Sequence, residues 1–459
     1  MSVNKNSIDM INGPLWGKIL RFSALYMLTA VLQQLYSAAD ILIVGRYAGA
    51  NALAGVGTCA VVSGLFLNFI LGLSAGATIV LGHELGAGHK DEIHKASHTS
   101  IAIAVFGGFI ISCICLLFTR PLLAMVDVPD EVYPEASAYL RITAIGYIPS
   151  LLYNFGAAIL RAKGDTKRAL YIVTISGVIN VVLNLFFVCV LHMGASGVAT
   201  ATVISQIFTA VCIMRILCRE TDEMRISLNK IRFYKKPFLR ILRFGLPSGI
   251  QSSVYSLSNI LVQSGINSFG AAAIAGSAAT TSITDFYTVM LNSIYQSSMV
   301  FTSQNFGARK FDRIKKTLTI SLIYVIGIWG IQSIITFFGG EFLIGLYAPD
   351  EPEVFAYGLR KFYLLGYVYG LMGFLNVMSG VLRGMGASFI NMITSIIGVC
   401  GIRIIWLFTA FKAVHTFEVL FLCYPISWIG TTILHFIMFL ILFRKEKIKY
   451  LNILSKSAS

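Results

Sequence analysis

The sequence predicts an all-α polytopic membrane protein with twelve transmembrane helices in two pseudo-symmetric six-helix lobes. Three observations carry this expectation. Of the 459 residues, 56% are hydrophobic and only 12% are charged, against roughly 25% charged in a soluble domain. The apolar runs are about 20–30 residues long, enough to cross a bilayer with some tilt and unlike the short alternating segments of a membrane barrel. The second half of the chain also repeats the first.

The spans fall at approximately 15–43, 51–81, 97–119, 133–160, 168–191, 195–218, 238–268, 272–304, 317–338, 353–382, 389–411 and 418–443. The opening residues "MSVNKNSIDMINGP" are polar and lead straight into the first span, so no secretory signal peptide is expected. The eight cysteines all fall within or at the ends of apolar runs. They read as free thiols packed as small hydrophobes, not as a disulfide framework.

The net charge of +15 would suit nucleic acid, but its distribution argues otherwise. With the N-terminus placed inside, the inner segments hold 29 of the 36 Lys and Arg, and the outer side holds Arg46, Arg120, Arg141, Arg360, Lys361, Arg403 and Lys412. This bias is the positive-inside signal. It predicts a plasma (inner) membrane protein with both termini cytoplasmic. The longest polar connection, "ETDEMRISLNKIRFYKKP", divides the chain into an N-lobe (1–219), a cytoplasmic linker (220–237) and a C-lobe with a basic tail (238–459).

Four matches define the repeat at a shift near 221: "KILRFSAL" with "RILRFGLP", "GANALAG" with "GAAAIAG", "LGAGHKDEIHKA" with "FGARKFDRIKKT", and "ILRAKGDT" with "VLRGMGAS". Six spans per half is an even number, so both halves enter the membrane the same way and are related by an axis along its normal. Two such lobes suit alternating access to a central cavity.

Several spans carry polar residues on one face, at helical spacing. The first carries Thr29, Gln33, Tyr36 and Asp40. The fourth carries Thr143, Tyr147, Ser150 and Asn154, the fifth Asn180 and Asn184, and the sixth Thr202, Gln206 and Thr209. The seventh carries Ser248, Ser252, Tyr255, Asn259 and Gln263, and the eighth Thr281, Asp285, Thr288 and Asn292. Interhelical hydrogen bonds, worth about 0.6–2 kcal/mol each, account for single residues of this kind. Whole stripes must face protein or a wet cavity. The repeat places Asp40 on Val262 or Leu261, Asn180 and Asn184 near Gly401 and Ile405, and Thr202 on Tyr424. One lobe thus holds a carboxylate, two carboxamides and a hydroxyl that the other lacks, as a function confined to one lobe would require. These side chains offer oxygen ligands and one negative charge, which suits a proton or one hard monovalent cation. The plainer alternative for Asp40 is an interfacial carboxylate paired with Arg46, and for Asp285 a paired or cavity-solvating carboxylate.

At these residues the chain resembles the multidrug and toxic compound extrusion (MATE) family over nearly its whole length. "AADILIVGRYAGANALAGVG" is similar to that family's helix 1–2 signature, "YLRI" and "ILRAKGDTKRA" to its helix 4–5 region, "QNFGARKFDRIKK" to the loop after helix 8, and "YPISWI" to its helix 12. The resemblance implies two six-helix lobes opening outward as a V, and antiport of organic cations against H⁺ or Na⁺. It also implies an ion-coupling site at Asp40, Asn180, Asn184 and Thr202, with Tyr139 and Asn154 nearby and Na⁺ as a candidate ligand of the first four. Two departures stand out. Leu25 occupies the place of a proline frequent in the first helix, which puts a proline-bent first helix in doubt, and Tyr255 stands near the place of a seventh-helix carboxylate.

No enzyme is expected. "HELGAGH" spaces its histidines six apart, which fails the metalloprotease geometry, and "GHELGAGHK" lacks the Gly-Lys-Ser/Thr of a phosphate loop. Without an ATPase motif, an ion gradient drives transport and no cofactor is needed beyond H⁺ or Na⁺. The expectation is a monomeric secondary-active multidrug antiporter that exports cationic or amphipathic small molecules from a cavity lined by Gln33, Tyr36, Gln251, Tyr255, Asn259 and Asp285. The alternative is a flippase for a lipid-linked or amphipathic substrate. The chain ends after twelve spans and its interior charges read as acidic, which favours cationic cargo. A channel or receptor fits a two-lobe duplication poorly.

Overall fold

The computed structural model describes residues 7–347 and 351–458. The first six residues of the polar opening stretch, Ala348–Asp350 and Ser459 lie outside the described residues. The described chain is helical throughout. α1 (Trp16–Tyr47), α2 (Ala50–Ala87), α3 (Lys90–Leu117), the short α4 (Thr119–Ala124), α5 (Tyr133–Lys163), α6 (Lys167–Asn184) and α7 (Gly194–Cys218) come from the first half. α8 (Lys235–Asn267), α9 (Ala271–Gly307), α10 (Phe311–Gly345), α11 (Pro352–Gly366), α12 (Gly370–Gly384), α13 (Ser388–Ser395), α14 (Ile402–Trp406) and α15 (Phe417–Ala458) come from the second. All twelve expected spans are helical. The tenth is the pair α11 and α12, bent by 48°. The eleventh is α13 and α14 with two π-helical stretches, Ile396–Gly401 and Leu407–Phe411. Among the described residues nine helices are long and apolar enough to cross a membrane, or ten with the bent pair. α8 and α9 have the length but not the apolarity, because their polar stripes replace a lipid-facing side.

Turn chemistry explains the repeat. The matched segments "GANALAG" and "GAAAIAG" are the α1–α2 and α8–α9 turns, where Gly49 and Gly270 take φ of 85° and 91°. A side chain at either place would be strained.

The chain divides into two compact units, each drawing on both halves of the sequence. The first comprises Leu28–Gly249 with the stretch that ends at Asp9, and the second Met10–Met27 with everything from Ile250. α1 and α8 are therefore each split between units, at places one repeat apart. The start of α1 belongs to the second unit because Phe22 meets Phe301 edge-on at 6.0 Å and Ser23 hydrogen-bonds Ser297 at 2.9 Å. The start of α8 belongs to the first because Arg240 pairs with Glu84, which also meets His89.

The polar 220–237 connection is tied down within the first unit. The buried Glu220 pairs with Lys163 at 2.5 Å and with Arg168, which also holds Asp165. Lys163 reaches Asp222 as well, and Lys90 meets Glu223 at 2.7 Å. The Ser227 and Tyr234 amides donate to His98 Nε2 (3.0 Å) and Thr99 Oγ1 (3.2 Å). Burial acts to raise the Glu220 carboxyl, but the bonds from Lys163 and Arg168 outweigh it and hold the group below its ordinary value. Its stabilising effect is then fully present above the ordinary carboxylate range and lost as pH falls through the lowered value. Glu220→Gln should cost roughly 3 kcal/mol by stranding two cations. Thermal unfolding of the detergent-solubilised protein would show this as a lower midpoint at pH 7, with the gap from wild type closing in acid.

Candidate functional site

The first unit brings polar intrusions of two spans, α1 and α6, together at one point. Asn184 is fully buried and Asn180 is 7% exposed, one turn apart on α6. The Asn184 amide nitrogen donates to a carboxylate oxygen of Asp40 and, at 3.3 Å, to Asn180 Oδ1. Asp40 therefore faces Asn184, and no salt bridge joins it to the exposed Arg46 among the described residues. The approach of α1 to α6 has a local cause. The Tyr36 ring lies where a Cβ on Gly177 would be, so only glycine admits it, and the Tyr36 hydroxyl donates to the Thr174 carbonyl at 3.2 Å. One turn further along α1 and one to two turns further along α6, this contact aligns Asp40 with Asn180 and Asn184.

Asn184 Oδ1 here, and Thr202 Oγ1 on α7 one turn after Val198, have no hydrogen-bond partner among the described residues. Buried polar atoms are rarely left so, and an unmade bond costs about 1–3 kcal/mol. The Asp40 carboxylate, Asn180 Oδ1 and Asn184 Oδ1 are oxygen donors of the kind a hard monovalent cation takes. Tyr139 stands close enough for its hydroxyl to feel the Asp40 charge. Asn154 is not brought in: its amide donates to Ser150 O of its own helix at 2.9 Å.

On one side of these residues the neighbouring turn is apolar. Ile43 and Val44 follow Asp40, Val188 follows Asn184, Val198 precedes Thr202, and all four share one buried cluster that packs against Tyr139. α6 turns π-helical at Leu185–Val190, directly after Asn184. Such wider turns recur at functional sites.

In the second unit the expected cavity residues take different places. Gln251, 4% exposed, accepts from Arg383 Nη2 (2.8 Å) and Asn391 Nδ2 (3.0 Å) and donates to Tyr255 O–H (3.1 Å). It is a buried network member, and its position one residue off the Ser248–Ser252–Tyr255 stripe accounts for this. Asn259 is exposed and accepts from Arg403 Nη1 at 2.9 Å. Asp285 is half-buried within electrostatic reach of Lys361. Gln33, in the first unit, is exposed.

The expectation that the interior charges are acidic, with Lys361 and Arg403 on the outer side, is corrected. Lys361 is 7% and Arg403 5% exposed. Lys361 Nζ donates to Ser277 O and Thr281 Oγ1, each at 2.9 Å. Arg403 lies over the Tyr424 ring, 4.3 Å from its centroid. Hydrogen bonds from neighbouring helices draw both heads inward in place of a reach to the interface. The available signal was a lone arginine inside the run "IRIIWLF".

A family model described as MatE matches residues 26–186 and 247–409. The chain is 26% identical over 85% of its length, and 85% of the relative, to Probable multidrug resistance protein YoeA of Bacillus subtilis. It is 24% identical over 87% of its length to Probable multidrug resistance protein NorM of Thermotoga maritima, covering 85% of that protein. Its fold matches a multidrug resistance MATE family transporter of the MOP superfamily solved in an outward-facing conformation. The TM-score is 0.90, with 97% of this chain and 100% of that chain covered at 21% identity.

The contact between Gly177 and Tyr36 can be tested by packing. Gly177→Ala should cost about 1–3 kcal/mol by overfilling the contact. In a Tyr36→Ala background the same change should cost much less, since the ring it meets is gone. Thermal unfolding of the four variants measures this non-additivity.

Proposed function

The chain belongs to the MatE family, and from that premise we propose that it is a secondary-active exporter that exchanges amphipathic, mainly cationic small molecules for a monovalent cation loaded at Asp40. It is a multi-pass membrane transporter and not an enzyme. The observation that carries the coupling proposal is the Asp40–Asn184–Asn180 hydrogen-bonded group, in which the buried Asn184 Oδ1 is left unpartnered among the described residues. A proton on Asp40 neutralises the charge. Na⁺ bound to Asp40, Asn180 and Asn184 also takes up this oxygen, and H⁺ competes for the same carboxylate. We place both termini in the cytoplasm and the protein in the plasma membrane, on the charge bias of its loops, and propose that it works as a monomer. The names of the relatives, two of them multidrug resistance proteins, agree with drugs as cargo.

In this scheme the loaded ion changes the balance between two conformations only to the extent that it binds one of them better. Neutralising Asp40 removes the need for Asn184 to solvate a naked carboxylate. α1 and α6 are then free to adopt a second packing, and export of cargo is tied to that exchange.

A flippase for an amphipathic substrate is the second reading, favoured by the buried cations Lys361 and Arg403. Transport of water-soluble ethidium separates the two, since a lipid flippase has no use for it.

Ethidium efflux from proteoliposomes under an imposed inward gradient of Na⁺, or of H⁺ without sodium, tests the proposal. Wild type should respond to at least one gradient, and Asp40→Asn to neither. If Asp40→Asn pumps at the wild-type rate, coupling does not run through Asp40, and Asp285 becomes the next group to replace.

A further inference from the structure

Outside the Asp40 group, the first unit holds a second cavity at the start of α6 and the end of α7. Its volume is about 290 Å³, and Arg168, Arg215, Ile216, Arg219, Glu220 and Thr221 line it. Arg168 lies in the first turn of α6, and Arg215 and Arg219 stand one turn apart where α7 ends. Lys167–Val190 and Gly194–Cys218 are each long and apolar enough to cross a membrane. The cavity therefore sits where two neighbouring spans meet the water, whichever side of the bilayer that is.

Its charges are unevenly satisfied. Glu220 gives one oxygen to Lys163 and the other to Arg168, so its carboxylate is spent. Arg168 also holds Asp165, and Lys163 also holds Asp222. These two cations and three carboxylates leave one negative charge in excess, and Arg215 and Arg219 more than offset it. Neither of those two guanidiniums has a hydrogen-bond or salt-bridge partner among the described residues. Arg168 keeps a buried Nη2 that is likewise unpartnered. Three guanidiniums thus border one cavity with donors to spare, and the planar N–H fork of arginine matches a phosphate group.

The outer faces of the two helices indicate what such a phosphate belongs to. Tyr171, Ile175 and Val178 follow Arg168 on one face of α6 at helical spacing, and all three are exposed. Ile204, Ile207 and Val211 precede Arg215 on one face of α7 in the same way and are exposed too. The helices are joined by the Ser176 hydroxyl, which donates to the Ser205 carbonyl at 3.0 Å. Two exposed apolar stripes on neighbouring spans therefore lead up to the same guanidiniums. At about 290 Å³ the cavity is small beside ligand pockets of roughly 300–1,000 Å³. It admits a headgroup and leaves acyl chains outside, along the stripes.

We propose that this cavity is a binding site for the phosphate of an anionic phospholipid, with Arg168, Arg215 and Arg219 as its donors and the acyl chains lying on α6 and α7. Basic pockets between membrane helices take lipid headgroups by the same chemistry. The assignment depends on neither the coupling ion nor the cargo.

Fluorescence anisotropy with the purified full-length protein in neutral detergent tests it. The probe is phosphatidylglycerol labelled on one acyl chain, and the control is diacylglycerol with the same label, which lacks the phosphate. Wild type should bind the phospholipid about tenfold or more tightly than the diacylglycerol. Combining Arg215→Gln with Arg219→Gln should remove that preference. Both side chains are exposed, so the fold should survive the change, with an unaltered thermal midpoint as the check. Lys445→Gln with Lys447→Gln, an equal loss of charge on the basic tail, should leave the preference as it is. Inorganic phosphate should leave the lipid bound, since it has no chains to lay on the stripes. Equal binding of the two lipids by wild type overturns the proposal. So does a preference that survives in the arginine variant, or one that falls equally in the tail variant, which would make it a general attraction to basic charge. Full displacement by inorganic phosphate overturns it as well and makes the occupant a free anion.

Discussion

A carboxylate within a membrane-spanning helix needs a partner that is not lipid, and the rest of the first unit is arranged to give Asp40 one. Asn184 supplies the hydrogen bond, Asn180 braces Asn184, and the Tyr36–Gly177 contact holds α1 and α6 close enough for both. An apolar cluster from α1, α2, α7 and the π turn borders one side of the group. The arrangement is incomplete as a purely structural network, because Asn184 Oδ1 and Thr202 Oγ1 remain unpartnered. The proposed exchangeable ion would take up the first of these oxygens together with the Asp40 carboxylate.

The two halves share a backbone plan and differ in charge. Matched positive-φ glycines form the α1–α2 and α8–α9 turns, and α6 and the α13–α14 span both widen into π turns. On that common plan one half joins Asp40 to two asparagines, and the other buries Arg403 and Lys361.

Much of this was legible in the sequence, for physical reasons. Span positions followed from apolar length, and Asp40, Asn180 and Asn184, which hydrogen bonds join, stood out as polar side chains where lipid would otherwise stand. What escaped depended on direction. An arginine or lysine near a span end is read as reaching for the interface, since its long stem allows that. Lys361 and Arg403 instead turn inward because Ser277, Thr281, Asn259 and Ser427 receive them. Partners reached across helices are likewise not written in spacing: Arg383 and Asn391 engage Gln251, and the Asn154 amide bonds Ser150 O of its own helix. The 220–237 connection reads as a polar linker, and only the structure brings Lys163 and Arg168 onto Glu220.

Ion occupancy of the Asp40 group is the central claim, and equilibrium binding of radioactive ²²Na⁺ to the purified protein at alkaline pH tests it most directly. The account predicts saturable binding of one ion per chain, weakened as protons compete at lower pH and absent in Asp40→Asn. Undiminished binding in Asp40→Asn, or no saturable binding by wild type, would contradict it.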